Sequence, residues 1–228
     1  MIIKFETTKL FYDKYLFKLG VTNPLGFIFR NKNFSHARSI IDKLHQSQES
    51  GEPLRYKLDS HSYRSPIDLA VEDVHDLKYL LTEFQNQQNF MVRCEQRKLG
   101  IFSNDEEWLK QIGKKLDCIC DFYAPEENTI NLLLDNKNIL IKNTPFKFKY
   151  KVTLGQGTID TNFYDWARMN TDKVRCSPNL LKRIKEKAYV AGKYLYLRDA
   201  KVFTLASLFL STNISRVDRI VLKQDVDK

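Results

Sequence analysis

Residues 90–123 read FMVRCEQRKLGIFSNDEEWLKQIGKKLDCICDFY, and this stretch sets the plan of the chain. Phe90-Met91-Val92-Arg93-Cys94 and Lys98-Leu99-Gly100-Ile101-Phe102 flank a polar Glu95-Gln96-Arg97 turn, the pattern of a hairpin. Asn104 is placed to cap a helix whose first turn holds Asp105, Glu106 and Glu107, a capping-box arrangement. Trp108, Leu109, Ile112 and Leu116 recur at helical spacing as its inner face. Lys114 and Lys115 stand at its C-terminal end, where the helix dipole favours cations. Cys118 to Tyr123 then reads as a strand.

The same pattern recurs on both sides. Upstream, Gly26-Phe27-Ile28-Phe29-Arg30 reads as a strand before a helix ending Asp42-Lys43-Leu44, with Ser35 as its cap and Ala37, Ile40, Ile41 and Leu44 as its buried stripe. Downstream, the strand Tyr194 to Leu197 leads through Arg198-Asp199 into an apolar helix, Lys201 to Leu210, and a strand, Val217 to Leu222. The expected fold is therefore α+β, built from repeated ferredoxin-like (ββαβ or βαβ) units whose antiparallel sheets carry helices on one face. Residues 1–125 form two such units and residues 126–228 a basic C-terminal one, divided at the polar turn Pro125-Glu126-Glu127-Asn128.

The remaining elements follow from local pattern. Ile2 to Leu10 and Tyr15 to Leu19 read as a hairpin about Tyr12-Asp13-Lys14. Gln46 to Pro53 is a polar loop, and Leu54 to Leu58 a returning strand. Val74 to Gln87 is a helix on Leu77, Leu80, Leu81 and Phe84, capped by Asp73. Thr129 to Leu134, Asn138 to Lys142 and Pro145 to Leu154 read as strands, with Phe146 to Lys151 at a sheet edge. Lysines at alternate positions there protect an edge or give a basic ridge on one sheet face.

With 228 residues, 43% hydrophobic, the chain buries a sizeable core, and disorder driven by low hydrophobicity is excluded. Four cysteines in a chain this long do not make a disulfide framework and suit a reducing compartment. The N-terminal residues lack a secretory pattern. The longest apolar run, Val202 to Leu210, is about half of what spans a bilayer. A cytoplasmic location without membrane contact is expected. The Lys-, Asn-, Ile- and Phe-rich composition points to an AT-rich genome, and so to a phage or viral source acting in host cytoplasm.

No motif fixes an activity. Cys118 and Cys120 face one side of a strand, but Cys94, Cys176 and the scattered His36, His45, His61 and His75 supply no paired ligand spacing, so buried thiols are the better account and no metal or other cofactor is expected. Gly155-Gln156-Gly157 lacks the further residues of a dinucleotide or phosphate loop. Asp160 and Asp165 near Arg168, and Asp172 near Lys173 and Arg175, would serve a metal-dependent nuclease, but without a recognised spacing.

Charge is more informative. The net charge is +9, and residues 151–228 hold 15 basic against 8 acidic side chains. Within Lys173 to Lys193 a helix opened by Ser177-Pro178 or Asn179 carries an apolar stripe of Leu181, Ile184 and Ala188 and is basic elsewhere. Such a helix can lie along a phosphate backbone. The expected function is non-enzymatic binding of RNA or single-stranded DNA through Arg175, Lys182, Arg183, Lys185, Lys187, Lys193, Arg198 and Lys201, with nearby aromatics such as Tyr194 and Tyr196 available for base stacking. The rivals are a structural protein that self-associates or contacts acidic partners or a packaged genome, and a nuclease.

Overall fold

Leu19 and Val21, Leu99 and Ile101, and Cys120 and Phe122 are all buried, and each pair is separated by one residue that turns to the opposite side. That alternation places three strands side by side over one apolar layer. The computed structural model that describes this fold covers residues 2–57, 65–95 and 97–226. His61, Leu58 and the middle of the Glu95-Gln96-Arg97 turn lie outside the described residues. The chain divides into two units, Met1–Ile130 and Asn131–Lys228.

The first unit contains β1 (Ile2–Glu6), β2 (Phe17–Thr22), α1 (Phe34–Glu49), the two-residue strands β3 (Arg55–Tyr56) and β4 (Ile67–Asp68), α2 (Val71–Asn86), β5 (Phe90–Glu95), β6 (Lys98–Ser103), α3 (Glu106–Lys115) and β7 (Cys120–Ala124). α4 (Glu127–Asp135) follows, across the division in sequence. The main sheet has the order β1-β7-β2-β6-β5, with β1 parallel to β7 and the other neighbours antiparallel. α3 packs on this sheet through Trp108, Leu109 and Ile112, and α1 pairs with α2.

The second unit contains β8 (Ile139–Lys142), β9 (Tyr150–Leu154), α5 (Thr161–Met169), β10 (Val174–Arg175), α6 (Pro178–Lys185), β11 (Tyr194–Leu197), α7 (Ala200–Leu210) and β12 (Ile214–Leu222). Its sheet runs β10-β11-β9-β12-β8, with β8 parallel to β12 and the remaining pairs antiparallel. Val152, Leu154, Leu195 and Leu197 meet Phe163 of α5, Leu180 and Ile184 of α6 and Ala206 of α7 in one core. Written from the parallel edge, the two sheets have the same connectivity: β1, β7, β2, β6, β5 correspond in order and direction to β8, β12, β9, β11, β10. In both, the last two strands in chain order are joined through an α-helix, α3 or α7.

Several expectations need correction. Each five-stranded sheet is mixed rather than antiparallel. β1 does not return onto β2, because it pairs with β7; the turn at Tyr12-Asp13 closes only the bridge Phe11–Tyr15. Gly26 to Lys32 forms 3-10 turns instead of a strand, kinked at Arg30 and Asn31. The polar caps are shifted by one to three residues. Asn33, not Ser35, accepts from the His36 amide; Asp73 sits inside α2 and accepts from the Ala70 amide; Asp105, not Asn104, caps α3. Thr129 to Leu134 is helical, with Thr129 and Leu133 buried at i and i+4. β9 is the centre of its sheet, while Phe146 to Lys149 is loop. The basic helix is only Pro178–Lys185, and it buries Leu180 with Ile184 where Leu181 and Ala188 were expected to complete the stripe.

Candidate functional site

Strand alternation in the second unit leaves a face opposite its helices. While Val152, Leu195 and Val174 turn into the core, Lys151, Tyr194, Tyr196 and Arg175 turn away from it. The register sets Tyr196 opposite Lys151 on one side and opposite Arg175 on the other. Tyr194 meets Tyr196 edge-on with centroids 5.5 Å apart, and Phe146, from the loop before β9, meets Tyr196 edge-on at 5.0 Å. Cations lie against these rings. The Arg175 guanidinium is 5.9 Å and the Lys142 ammonium 5.5 Å from the Phe146 centroid, and Lys151 Nζ is 4.4 Å from that of Tyr194.

All of these groups except Lys151 line a cleft of about 650 Å³, which the start of α6 and the tight turn at Gly192 complete. Ser177 closes the first turn of α6 by accepting from the Leu180 amide, and Pro178 follows in the first helical position. Lys142, Arg175 and Lys193 bring three positive charges to the cleft, and no carboxylate among the described residues lines it. Burial, and then the neighbouring Tyr194, push the Tyr196 phenol up, against the pull of Arg175, so it stays a neutral hydrogen-bond donor at physiological pH. Burial pushes the Cys176 thiol up to about 12, which leaves it without nucleophilic character.

Comparison with known protein families, curated proteins and solved structures returns no match.

The structure gathers two of the eight sequence-predicted basic residues, Arg175 and Lys193, into this cleft. The others lie elsewhere on the unit. Lys182 faces Glu186 at 4.0 Å, Arg183 is held by Asn179 and the Tyr189 carbonyl, and Lys185 lies 5.9 Å from the Tyr164 ring. Lys187 follows the helix with a left-handed φ of 50°. Arg198 pairs with Asp172 at 3.4 Å, and Lys201 is exposed in the first turn of α7. Sequence reasoning missed Lys142 and Phe146 as partners of Arg175. The signal was weak: an aromatic loop residue and the last lysine of a short strand, 29 or more positions away in the chain.

The carboxylates considered for hydrolysis are spread out. Asp160 caps α5 through the Asn162 amide, Asp165 is exposed on that helix, and Asp172 holds Arg198. Among the described residues no group of three or more histidine, cysteine or acidic side chains is placed to hold a metal. Gly155 and Gly157 form a corner. Gly155 donates to the Asn213 carbonyl, and Gly157 has a φ of 148° beside the Asn213 side chain. Among the described residues no helix is long and apolar enough to cross a membrane. Chemically, the cleft offers flat faces for stacking, fixed cations for an anion and a neutral phenol.

Proposed function

We propose that the protein binds single-stranded nucleic acid, RNA or DNA, without catalysing a reaction, and that the C-terminal cleft is the interface. The observation that carries this reading is three aromatic rings and three cations lining one cleft, with no carboxylate among the described residues that line it. Bases stack on Tyr194, Tyr196 and Phe146, each contact being worth about 1–3 kcal/mol. Lys142, Arg175 and Lys193 take the phosphates, and the amide-rich start of α6 at Ser177 and Pro178 adds a weak preference for negative charge. A single strand suits the site because paired bases cannot present their faces to side chains. A duplicated ferredoxin-like ancestry, host cytoplasm and a viral source belong to the same reading.

The test is fluorescence anisotropy with labelled single-stranded RNA, single-stranded DNA and duplex DNA over a salt series. Three phosphate contacts give a log–log salt slope of about −2 on a single strand. Arg175→Ala with Lys193→Ala lowers affinity and flattens that slope by about 1.4. Tyr194→Ala with Tyr196→Ala weakens binding about tenfold or more with the slope kept. Equal affinity for duplex, or binding indifferent to both pairs of changes, refutes the reading.

One observation favours assembly as a second reading. Leu205 and Leu208 stand exposed at 50% and 74% on α7. Sedimentation of the protein alone, with Leu208→Lys as the control, decides it: an oligomer that the substitution dissociates supports assembly.

A further inference from the structure

We propose that the first unit carries a second nucleotide site on the corresponding face of its own sheet, and that this site discriminates among bases. The ligand class rests on the function proposed above; the site does not. On the face opposite the buried Leu19, Ile101 and Phe122 lie Lys18, Gly20, Gly100, Phe102, Asp121 and Tyr123. In each sheet the central strand sets a lysine directly opposite an aromatic residue of the next strand, Lys18 by Phe102 and Lys151 by Tyr196.

The cleft over this face measures about 430 Å³, within the range of small-ligand pockets. One wall is the loop between β1 and β2. There the Tyr12 ring meets Phe102 edge-on at 5.0 Å, and the Tyr12 hydroxyl accepts from Arg93 at 3.0 Å. Lys18 Nζ is 4.7 Å from the Tyr123 centroid and 5.8 Å from that of Phe102. The floor is built from facing glycines, Gly20 and Gly100, in mid-strand. Neither has a positive φ, so backbone conformation does not call for glycine at either position. A Cβ on Gly20 would come 3.3 Å from Asp121 Cβ, and one on Gly100 would come 3.1 Å from the Phe102 ring. Glycine weakens a strand, and its presence here clears room for a flat group to approach the backbone.

The two clefts differ in charge. The first contains carboxylates, Asp121 and Glu95; among the described residues the second contains none. Glu95 is engaged by Arg93 at 2.7 Å, whereas Asp121 makes the looser 3.8 Å pairing with Lys98. An ionised carboxylate accepts hydrogen bonds and donates none, so Asp121 favours a base edge that carries an amino group over one that carries a carbonyl. Cytosine N4 is the matched donor, and uracil presents an oxygen in its place. Lys18, Lys98 and Arg93 supply positive charge for the phosphate of the same nucleotide. The N-terminal cleft selects the base, and the C-terminal cleft holds the strand.

Titration of the full-length protein at low salt with hexameric oligo(C) and oligo(U) RNA, read by calorimetry, tests this. Two oligo(C) molecules bind per chain, and at one of the two sites oligo(U) is about tenfold weaker, the discrimination of one good base contact. Asp121→Asn, whose amide also donates, removes that preference while the stoichiometry stays at two. Lys18→Ala with Lys98→Ala removes the discriminating site alone, and Arg175→Ala with Lys193→Ala removes the other alone. Circular dichroism checks that each variant is folded. A single site lost only on changing Arg175 and Lys193 overturns this inference and leaves the proposed function standing. A single discriminating site lost only on changing Lys18 and Lys98 does the reverse. Two sites without base preference, or no binding of either oligomer, overturn the inference.

Discussion

Asn104 and Asp76 show how a polar side chain read as local in sequence acts over a long range. Asn104 accepts from the Leu16 amide at 2.8 Å and donates to the Lys14 carbonyl at 3.1 Å, fastening the loop that walls the N-terminal cleft to the end of β6. Sequence placed it as the cap of α3. Two adjacent residues could each serve, and a contact 88 positions away, invisible to local pattern, assigns the role to Asp105. Asn104→Ala removes two hydrogen bonds, one to a part-buried amide, at a cost of about 1–3 kcal/mol. A chain of this size then melts lower by roughly 2–4 °C per kcal/mol, which calorimetry measures. An unchanged melting temperature would show the loop is not held there. Asp76, buried at the middle of α2, accepts from the Asp117 amide at 3.0 Å. Burial raises its pKa, with the Asp117 and Cys118 hydrogen bonds opposing. For an acid with a raised folded-state pKa the stabilising contribution is present below the unfolded-state value and is lost as pH climbs through the folded one. Asp76→Asn keeps an acceptor for the amide and escapes that loss. It is expected to melt level with the native protein near pH 3 and above it at pH 7; the opposite order at pH 7 would show that the charge is stabilising.

At the scale of elements, legibility followed the number of faces buried. α1, α2 and α3 each bury one stripe, Ala37-Ile40-Ile41-Leu44 being a clear example, and helical spacing identified all three. Gly26 to Lys32 was misread because Phe27, Ile28 and Phe29 are a short apolar run, which periodicity cannot assign. Thr129 to Leu134 failed for the same reason. The lysine-rich run before and within β9 looked like a guarded edge, yet β9 is central; its one lysine, Lys151, faces the open side of the sheet, which satisfies the same alternation. The compact cleft on that side was legible only in part, because Lys142, Arg175 and Lys193 come from three separate stretches. α6 tests this account against the simpler one, in which the basic helix itself is the contact. Its three basic residues are held by Glu186, Asn179 and Tyr189 or lie near Tyr164, and Lys187 lies in the turn beyond. Lys182→Ala, Arg183→Ala, Lys185→Ala and Lys187→Ala combined therefore weaken single-strand binding less than Arg175→Ala with Lys193→Ala, despite removing twice the charge. The reverse order in anisotropy would return the interface to the helix.

At the scale of the molecule, the decisive property is that each unit closes its own sheet. No strand of the described residues in one unit joins the five-stranded sheet of the other, and each sheet has a helical layer of its own. Hydrophobic burial is therefore satisfied within each unit, and the two are expected to unfold as separate cooperative transitions. The tryptophans provide the means to see it. Trp108 is buried on α3 with Nε1 donating to Glu83 at 2.9 Å, and Trp166 on α5 stacks on Phe209 at 5.6 Å. With only two tryptophans in the chain, Trp166→Phe leaves a reporter of the first unit and Trp108→Phe a reporter of the second. Phe163 is fully buried beside Trp166, and Phe163→Ala costs about 3–5 kcal/mol. Leu109 is fully buried on α3, and Leu109→Ala costs about 2–5 kcal/mol. Introduced into each reporter background, Phe163→Ala should lower the urea midpoint seen by Trp166 and leave that seen by Trp108 in place, while Leu109→Ala should do the converse. If either substitution moves both midpoints together, the chain unfolds as one body. The two clefts would then rise and fall with a single stability, and strand binding at one would protect the other from unfolding.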